Sequence, residues 1–300
     1  MRAARFHQYG PADTLIIEDA PEPIVGPGQI RIRVAAASVN PVDWKIRSGA
    51  VQEAIPADLP AIPGQDAAGV VDQIGAGVPD VKIGDRVFGL TNFFGAAAEF
   101  AVLSYWAPVP SQWTLEQAAG AGLVVTTAAT ALNALGDLKD RTLLIEGAAG
   151  GVGSAAVAIA VGRGARVVGT ASAPKHDFLR ALGALPTTYG TGLAERVAAL
   201  APNGVDVALD VVGSGSLPDL VAIVGAENVV TLADYTTAPG LGVRLVIADN
   251  NSASLAEGAE LGARGIYTPH ISESFPLERT GDAHDHVQRG HTLGKVILTL

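Results

Sequence analysis

A glycine-rich turn follows a short apolar run in the middle of the chain. Leu144 and Ile145 are typical of a buried strand, and Ala148 stands where such turns usually carry their first glycine. Small residues let the backbone approach a pyrophosphate, and the N-terminus of the next helix offers free N–H groups to it. The pattern predicts a dinucleotide site formed by Ala149, Gly150, Gly151, Val152 and Gly153.

The residues after the next strand indicate which dinucleotide fits. An NAD site usually carries Asp or Glu about 20 residues beyond the glycines, but Thr170, Ala171 and Ser172 stand there. A carboxylate would repel a 2′-phosphate, whereas the Ser172 hydroxyl can donate to it and the Lys175 ammonium can pair with it. The sequence therefore favours NADPH, the alternative for Lys175 being a solvated surface side chain.

Composition limits the possible partners. The chain has 300 residues, enough for two domains, and a formal net charge of −10, which argues against a nucleic-acid partner. It has no cysteine, so neither a disulfide nor a thiolate metal site is possible. The first ten residues lack the apolar core of a signal peptide and no apolar stretch is long enough to cross a membrane, so a cytoplasmic protein without a membrane partner is expected.

Two different patterns of predicted secondary structure divide the chain into regions. Residues 1–115 contain short β-type runs separated by Pro and Gly, whereas residues 116–265 alternate apolar strands with helical segments such as Leu193–Leu200. Alternation of this kind predicts an α/β domain with a parallel sheet covered on both faces. Residues 266–300 return to a mixed pattern that ends in the strand-like run Lys295–Leu298, and we expect them to complete the first domain.

The chain resembles the zinc-independent quinone oxidoreductase branch of the medium-chain dehydrogenase/reductase superfamily. Besides the glycine-rich turn, the resemblance is carried by four segments, Ser38–Gly49, Pro63–Val71, Gly95–Phe100 and His291–Val296. It implies a Rossmann-type doubly wound parallel sheet domain and a GroES-like β-rich barrel domain. It also implies an NADPH-dependent enzyme that reduces a small apolar quinone, enone or carbonyl substrate.

The same resemblance implies further site residues. The nicotinamide is expected near Asn40, Asp43 and Thr127, and Tyr189 beside the adenosine phosphate. Val212, Gly213 and Ala233 are expected along the cofactor, with Gly213 beside the ribose. Members of the branch are often homodimers that join sheet edges, and Val243–Ile247 is the candidate edge strand.

The departure from zinc-containing relatives points to chemistry without a metal. Those relatives supply Cys from the first loop and a His–Glu pair from the second, where this chain has Asn40 and Gln65–Asp66. The carbonyl oxygen that gains negative charge then needs hydrogen-bond donors. We expect the Asn40 amide first, then the Lys45 ammonium and the Trp44 indole.

Three further side chains complete the predicted active site. Asp43 is expected to orient its neighbours, because an unshifted carboxylic acid is ionised at neutral pH. Phe93 and Phe94 are expected to form apolar walls of the substrate pocket, the alternative being ordinary core packing.

Other readings of the sequence predict different functions. A pathway-specific enoyl or ketone reductase would share the fold, as would a non-catalytic NADPH-binding sensor or crystallin-like protein. A metal site at His284, His286 and His291 is not expected, because these residues are predicted to lie on an exposed polar face.

Overall fold

The computed structural model describes residues 1–300 and forms two compact units. Unit 1 comprises Met1–Leu123, Asn251–Ala263 and Thr268–Leu300, and unit 2 comprises Val124–Asn250 and Arg264–Tyr267. The first division thus falls after Leu123 rather than near residue 115, and residues 251–263 group with unit 1 rather than with the parallel-sheet domain.

Unit 2 is a parallel sheet with its connecting helices. Its strands are β8 (Thr142–Glu146), β9 (Arg166–Thr170), β10 (Leu185–Thr187), β11 (Val207–Asp210), β12 (Val229–Thr231) and β13 (Arg244–Leu245). Its helices are α3 (Gly122–Ala134), which begins at the division, α4 (Gly151–Gly162), α5 (His176–Ala181), α6 (Leu193–Leu200), α7 (Leu217–Val224) and α8 (Ala238–Leu241).

The strands of unit 2 lie in the order β10-β9-β8-β11-β12-β13, and all their pairings are parallel. Strand β8 is buried along its whole length, as a central strand covered on both faces must be. This confirms the predicted α/β fold. The candidate edge strand does lie at the edge of the sheet, although only Arg244–Leu245 have β structure.

Unit 1 consists mainly of β-strands from the two ends of the chain. Its strands are β1 (Arg2–Phe6), β2 (Leu15–Asp19), β3 (Ile30–Val39), β4 (Asp66–Ile74), β5 (Arg86–Leu90), β6 (Phe100–Leu103), β7 (Tyr105–Pro108), β14 (Ile271–Pro276) and β15 (Lys295–Thr299). Its helices are α1 (Pro41–Ser48), α2 (Leu115–Ala119), α9 (Ser252–Ala263) and α10 (Thr280–Arg289).

The principal sheet of unit 1 has the order β14-β15-β3-β4-β5-β7, with β6 also paired to β3. Strand β15 runs parallel to β14 and antiparallel to β3, so the end of the described chain lies inside the sheet. Helix α9 joins this unit through close packing: a Cβ added to Gly262 would come within 2.6 Å of the Trp113 ring.

None of the helices combines the length and the apolar character that a membrane crossing requires.

The expectation that the histidines of α10 are exposed is wrong for His284, which is 1 % exposed. Burial and the nearby Arg47 charge lower the pKa of His284 to about 3, so this side chain is neutral.

Candidate active site

The glycine-rich turn joins β8 to α4 in a conformation that depends on small residues. Gly147 has φ = 80°, and a Cβ there would lie 1.9 Å from Val212 Cγ2. A Cβ on Gly153 would lie 2.2 Å from Gly147 O, so the helix can pack on the turn only without a side chain. A Cβ on Gly150 would meet no atom closer than Gly147 O at 3.6 Å, so the space beside Gly150 is open.

The turn leaves backbone donors at the start of α4. The hydrogen bond from Ser154 N to Gly150 O, 2.9 Å, opens the helical ladder, so the amides of Gly151, Val152 and Gly153 precede it. Open space beside Gly150, next to these donors, suits the diphosphate of a dinucleotide. The residues present therefore fit the cofactor that the sequence predicts.

Most of the predicted cofactor residues of unit 2 lie at one edge of the sheet. Glu146 pairs with Asp210 in register, Thr170 with Thr187, and Asp210 with Thr231. The predicted residues follow these strand ends, which brings them to the carboxyl edge of the sheet where α/β proteins bind ligands. Thr127 differs from them, because it lies half-buried on α3.

The segment after β9 carries Ser172 and Lys175. A 3₁₀ turn, Ala173–Lys175, follows the strand, and both side chains are half-buried rather than fully solvated. Burial lowers the pKa of the Lys175 ammonium. Tyr189, after β10, is 53 % exposed.

A buried carboxylate holds the loop after β11. Asp210 Oδ1 accepts from Val212 N and Gly213 N, both at 3.0 Å, and Oδ2 accepts from Thr231 Oγ1 at 2.8 Å. Thr231 Oγ1 in turn accepts from Ala233 N at 3.1 Å. The predicted residues Val212, Gly213 and Ala233 are therefore all positioned by the pair Asp210 and Thr231.

Glu146 positions the start of the glycine-rich turn through a threonine, as Asp210 positions the loop after β11. Thr170 Oγ1 donates to its carboxylate at 2.6 Å and accepts from Gly147 N at 3.1 Å. The sequence pattern predicts no role for Glu146, Asp210 or Thr231. An acidic residue at the end of a buried strand is the signal that identifies two of them, because such a carboxylate needs internal hydrogen-bond partners.

In unit 1 the predicted catalytic residue Asn40 is part of a buried polar network. Its Nδ2 donates to Asp66 Oδ1 at 2.8 Å and to Ser38 Oγ at 3.2 Å, and its Oδ1 accepts from Lys295 Nζ. Asn40 is 2 % exposed. Protein partners therefore use the donors and the acceptor of its amide in this structure. This differs from the expected role of Asn40 as the first hydrogen-bond donor to the substrate. The reason is that β3, β4 and β15 surround it.

Lys295 also belongs to this network, which the sequence pattern does not indicate. It is 5 % exposed, and burial lowers the pKa of its ammonium while Asp66 and Asp43 oppose that shift. The Lys295 ammonium lies near the Asp66 and Asp43 carboxylates and compensates their negative charge. The network is therefore not a set of metal ligands alone, because it already contains its own cation. No cluster of three or more His, Asp or Glu side chains has the arrangement needed to hold a metal ion.

Asp43 departs from the expectation that it is an ordinary ionised carboxylate. It is 1 % exposed, its Oδ2 accepts from Asn40 N at 2.7 Å, and its Oδ1 has no partner. Burial raises the pKa of Asp43 to about 7, and the nearby Asp66 carboxylate adds to the rise. The premise that this carboxyl is fully ionised at neutral pH is therefore wrong.

The other predicted catalytic residues differ in accessibility. Trp44 is half-buried against the core of unit 1, and exposed Lys45 has its Nζ 5.9 Å from the centre of the Trp44 ring. Phe94 packs against the cluster that contains Phe6, which is the ordinary core role. Phe93 is 44 % exposed with φ = 69°, a conformation that non-glycine residues adopt at a cost.

Two family models match the chain. Residues 26–111 match the alcohol dehydrogenase GroES-like domain, and residues 182–298 match the zinc-binding dehydrogenase model. The first match lies within unit 1, and the second spans parts of both units.

Several characterised proteins are similar over nearly the full chain. A quinone oxidoreductase of Rattus norvegicus is 31 % identical, covering 100 % of this chain and 98 % of that protein. The chloroplastic NADPH-dependent alkenal/one oxidoreductase of Arabidopsis thaliana is 32 % identical, with coverages of 99 % and 79 %.

Among solved structures, the quinone oxidoreductase of Coxiella burnetii matches with a TM-score of 0.87 at 29 % identity, covering 100 % of this chain and 99 % of that one. A mycobacterial protein complexed with NADPH matches with a TM-score of 0.85 at 27 % identity, covering 100 % of both chains.

Proposed function

Because this chain belongs to the quinone oxidoreductase branch of the medium-chain dehydrogenase/reductase family, we propose that it is an NADPH-dependent reductase of small apolar quinones, enones or carbonyl compounds. The observation that carries the proposal is the turn of unit 2, where open space beside Gly150 adjoins the free amides of α4. The absence of an acidic residue between Thr170 and Lys175 supports NADPH over NADH.

When bound, the reduced nicotinamide supplies a hydride, and the substrate oxygen gains the negative charge. The roles left to this chain are to place the cofactor and to stabilise that oxygen. We propose Lys45 and the Trp44 indole as donors, with exposed Phe93 as an apolar wall. Asn40, Asp43 and Lys295 hold the N-terminus of α1, which carries both proposed donors.

The proposed reaction is independent of metal. The chain has no cysteine, and Asn40, which stands where zinc-containing relatives have a ligand, bonds to the Lys295 ammonium. An ammonium in contact with Asn40 repels a divalent cation and already compensates the nearby carboxylates.

The experiment that tests this function combines binding and turnover. We expect calorimetry to detect NADPH binding to the purified protein and absorbance to show NADPH oxidation with at least one member of a quinone and enone panel. Treatment with a chelator should leave the rate unchanged. No heat of binding would refute the proposal, binding without turnover across the panel would favour a sensor, and a rate restored by zinc would refute the metal-free mechanism.

We also propose a homodimer formed through β13, which is one of the two edge strands of the unit 2 sheet. An unpaired edge strand offers backbone groups to a second copy of the same strand.

A further inference from the structure

One guanidinium organises the whole loop between β10 and α6. Arg196, on α6, donates from Nη1 to Thr191 O at 2.7 Å. Its Nη2 donates to the main-chain oxygens of Thr188, Tyr189 and Gly190, at 2.9, 3.3 and 3.1 Å. Every carbonyl of the segment 188–191 therefore points at this one side chain.

The backbone of the loop is shaped to make this convergence possible. Gly190 has φ = 84° and Gly192 has φ = 77°, and such conformations favour glycine. A Cβ on Gly192 would lie 3.0 Å from Arg196 Nη1. The loop therefore closes around a planar, forked donor, which the single ammonium of lysine does not reproduce.

The loop presents Tyr189 beside the segment that carries Ser172 and Lys175. Strands β9 and β10 pair in parallel with Thr170 opposite Thr187, and Ala171 N donates to Thr187 O at 2.9 Å. Ser172 and Tyr189 each stand two residues beyond these paired threonines. The exposure of Tyr189 leaves its ring available to a ligand at this edge.

We propose that Arg196 is a positioning residue that sets the selectivity of the protein for NADPH over NADH. Its Nη atoms are used by the loop carbonyls and its Nε is buried, so it acts through Tyr189 rather than by touching the phosphate. By fixing the loop, it holds Tyr189 beside the 2′-phosphate that Ser172 and Lys175 contact, a group that NADH lacks. This inference rests on the proposed NADPH site.

The test compares the dissociation constants of NADPH and NADH for the full chain by calorimetry. Arg196→Lys keeps the charge but loses the fork, and we expect NADPH binding to weaken about tenfold while NADH binding changes less than about twofold. The matched control is Arg180→Lys, because Arg180 is exposed on α5 and bonds only its neighbour Asp177. This control should leave both constants unchanged.

A double variant identifies the route of the effect. In a Tyr189→Ala background, Arg196→Lys should have little further effect on NADPH binding, because both changes remove the same contact. Additive losses, equal weakening of NADPH and NADH, or no change would overturn the inference. If Arg196→Lys does not fold, Gly192→Ala, whose Cβ presses on Nη1, must produce the same selective loss.

If the unmodified protein binds no NADPH, the proposed function itself fails. If it binds NADPH and the ratio of the two constants is insensitive to Arg196→Lys and Gly192→Ala, only the positioning role is refuted.

Discussion

At the scale of single residues, the chemistry of the predicted site depends on burial that local sequence does not encode. The types and spacing of Asn40 and Asp43 identified the start of α1 as a site. Their surroundings come from Asp66 and from Lys295, 255 residues from Asn40. The internal hydrogen bonds of the Asn40 amide and the raised pKa of Asp43 both result from tertiary packing. Neither therefore follows from the sequence around these residues.

The raised pKa of Asp43 gives a test based on stability. Because the folded pKa, about 7, exceeds the usual 3.8, the folded protein binds a proton that the unfolded chain releases between these values. The contribution of Asp43 to the free energy of unfolding therefore falls as pH rises from about 4 to about 7, by up to about 1.4 kcal/mol per pH unit.

Asp43→Asn should remove this slope while its side-chain oxygen still accepts from Asn40 N. The measurement is denaturant unfolding of both proteins across the pH window, in which the difference between their stabilities should narrow or reverse towards pH 7. Parallel stability curves would show that Asp43 titrates normally.

At the scale of elements, unit 2 was the more predictable half of the chain. Helix α6 has the bounds Leu193–Leu200 that the sequence predicts, because the helices between buried parallel strands are amphipathic and the strands are continuous apolar runs. Unit 1 was less predictable. Pairing of β15 with β14 and β3 joins distant segments, and no local pattern specifies which strands become neighbours.

The junction of β8 and α4 separates two roles of glycine. Gly153→Ala places a Cβ 2.2 Å from Gly147 O, so α4 must move away from the turn. We expect a loss of about 1–3 kcal/mol of folding stability together with weaker binding of NADPH and NADH.

Gly150→Ala is the matched variant, because the nearest atom to its Cβ is Gly147 O at 3.6 Å. It should leave the melting temperature near that of the unmodified protein. It should still weaken the binding of NADPH and NADH, because the added methyl group narrows the space in which the diphosphate approaches the turn. Scanning calorimetry measures the melting temperature, and titration calorimetry measures the binding of both dinucleotides. Undiminished cofactor binding by Gly150→Ala would place the diphosphate elsewhere.

At the scale of the whole molecule, the proposed dimer makes a directional prediction about β13. Val246 N donates to Thr231 O at 3.0 Å, so the alternation of a strand directs the Leu245 N–H away from β12. A second copy pairing at this edge would use that N–H.

Leu245→Pro removes the outward N–H without removing the bond from Val246, so it should convert the dimer into a monomer. Leu245→Ala, which keeps the N–H, is the control and should remain dimeric. Sedimentation velocity separates the two states. A monomeric unmodified protein, or a proline variant that still dimerises, would exclude this edge as the interface.

The insertion of β15 between β14 and β3 has a consequence for biosynthesis. While a ribosome is still translating the last part of unit 1, residues 36–39 of β3 have emerged but their partner strand does not yet exist. Unpaired strand backbone is a template for association with other chains. We therefore expect nascent chains stalled before Lys295 to need chaperone protection, whereas residues 124–250, which contain the whole parallel sheet of unit 2, can begin to fold earlier.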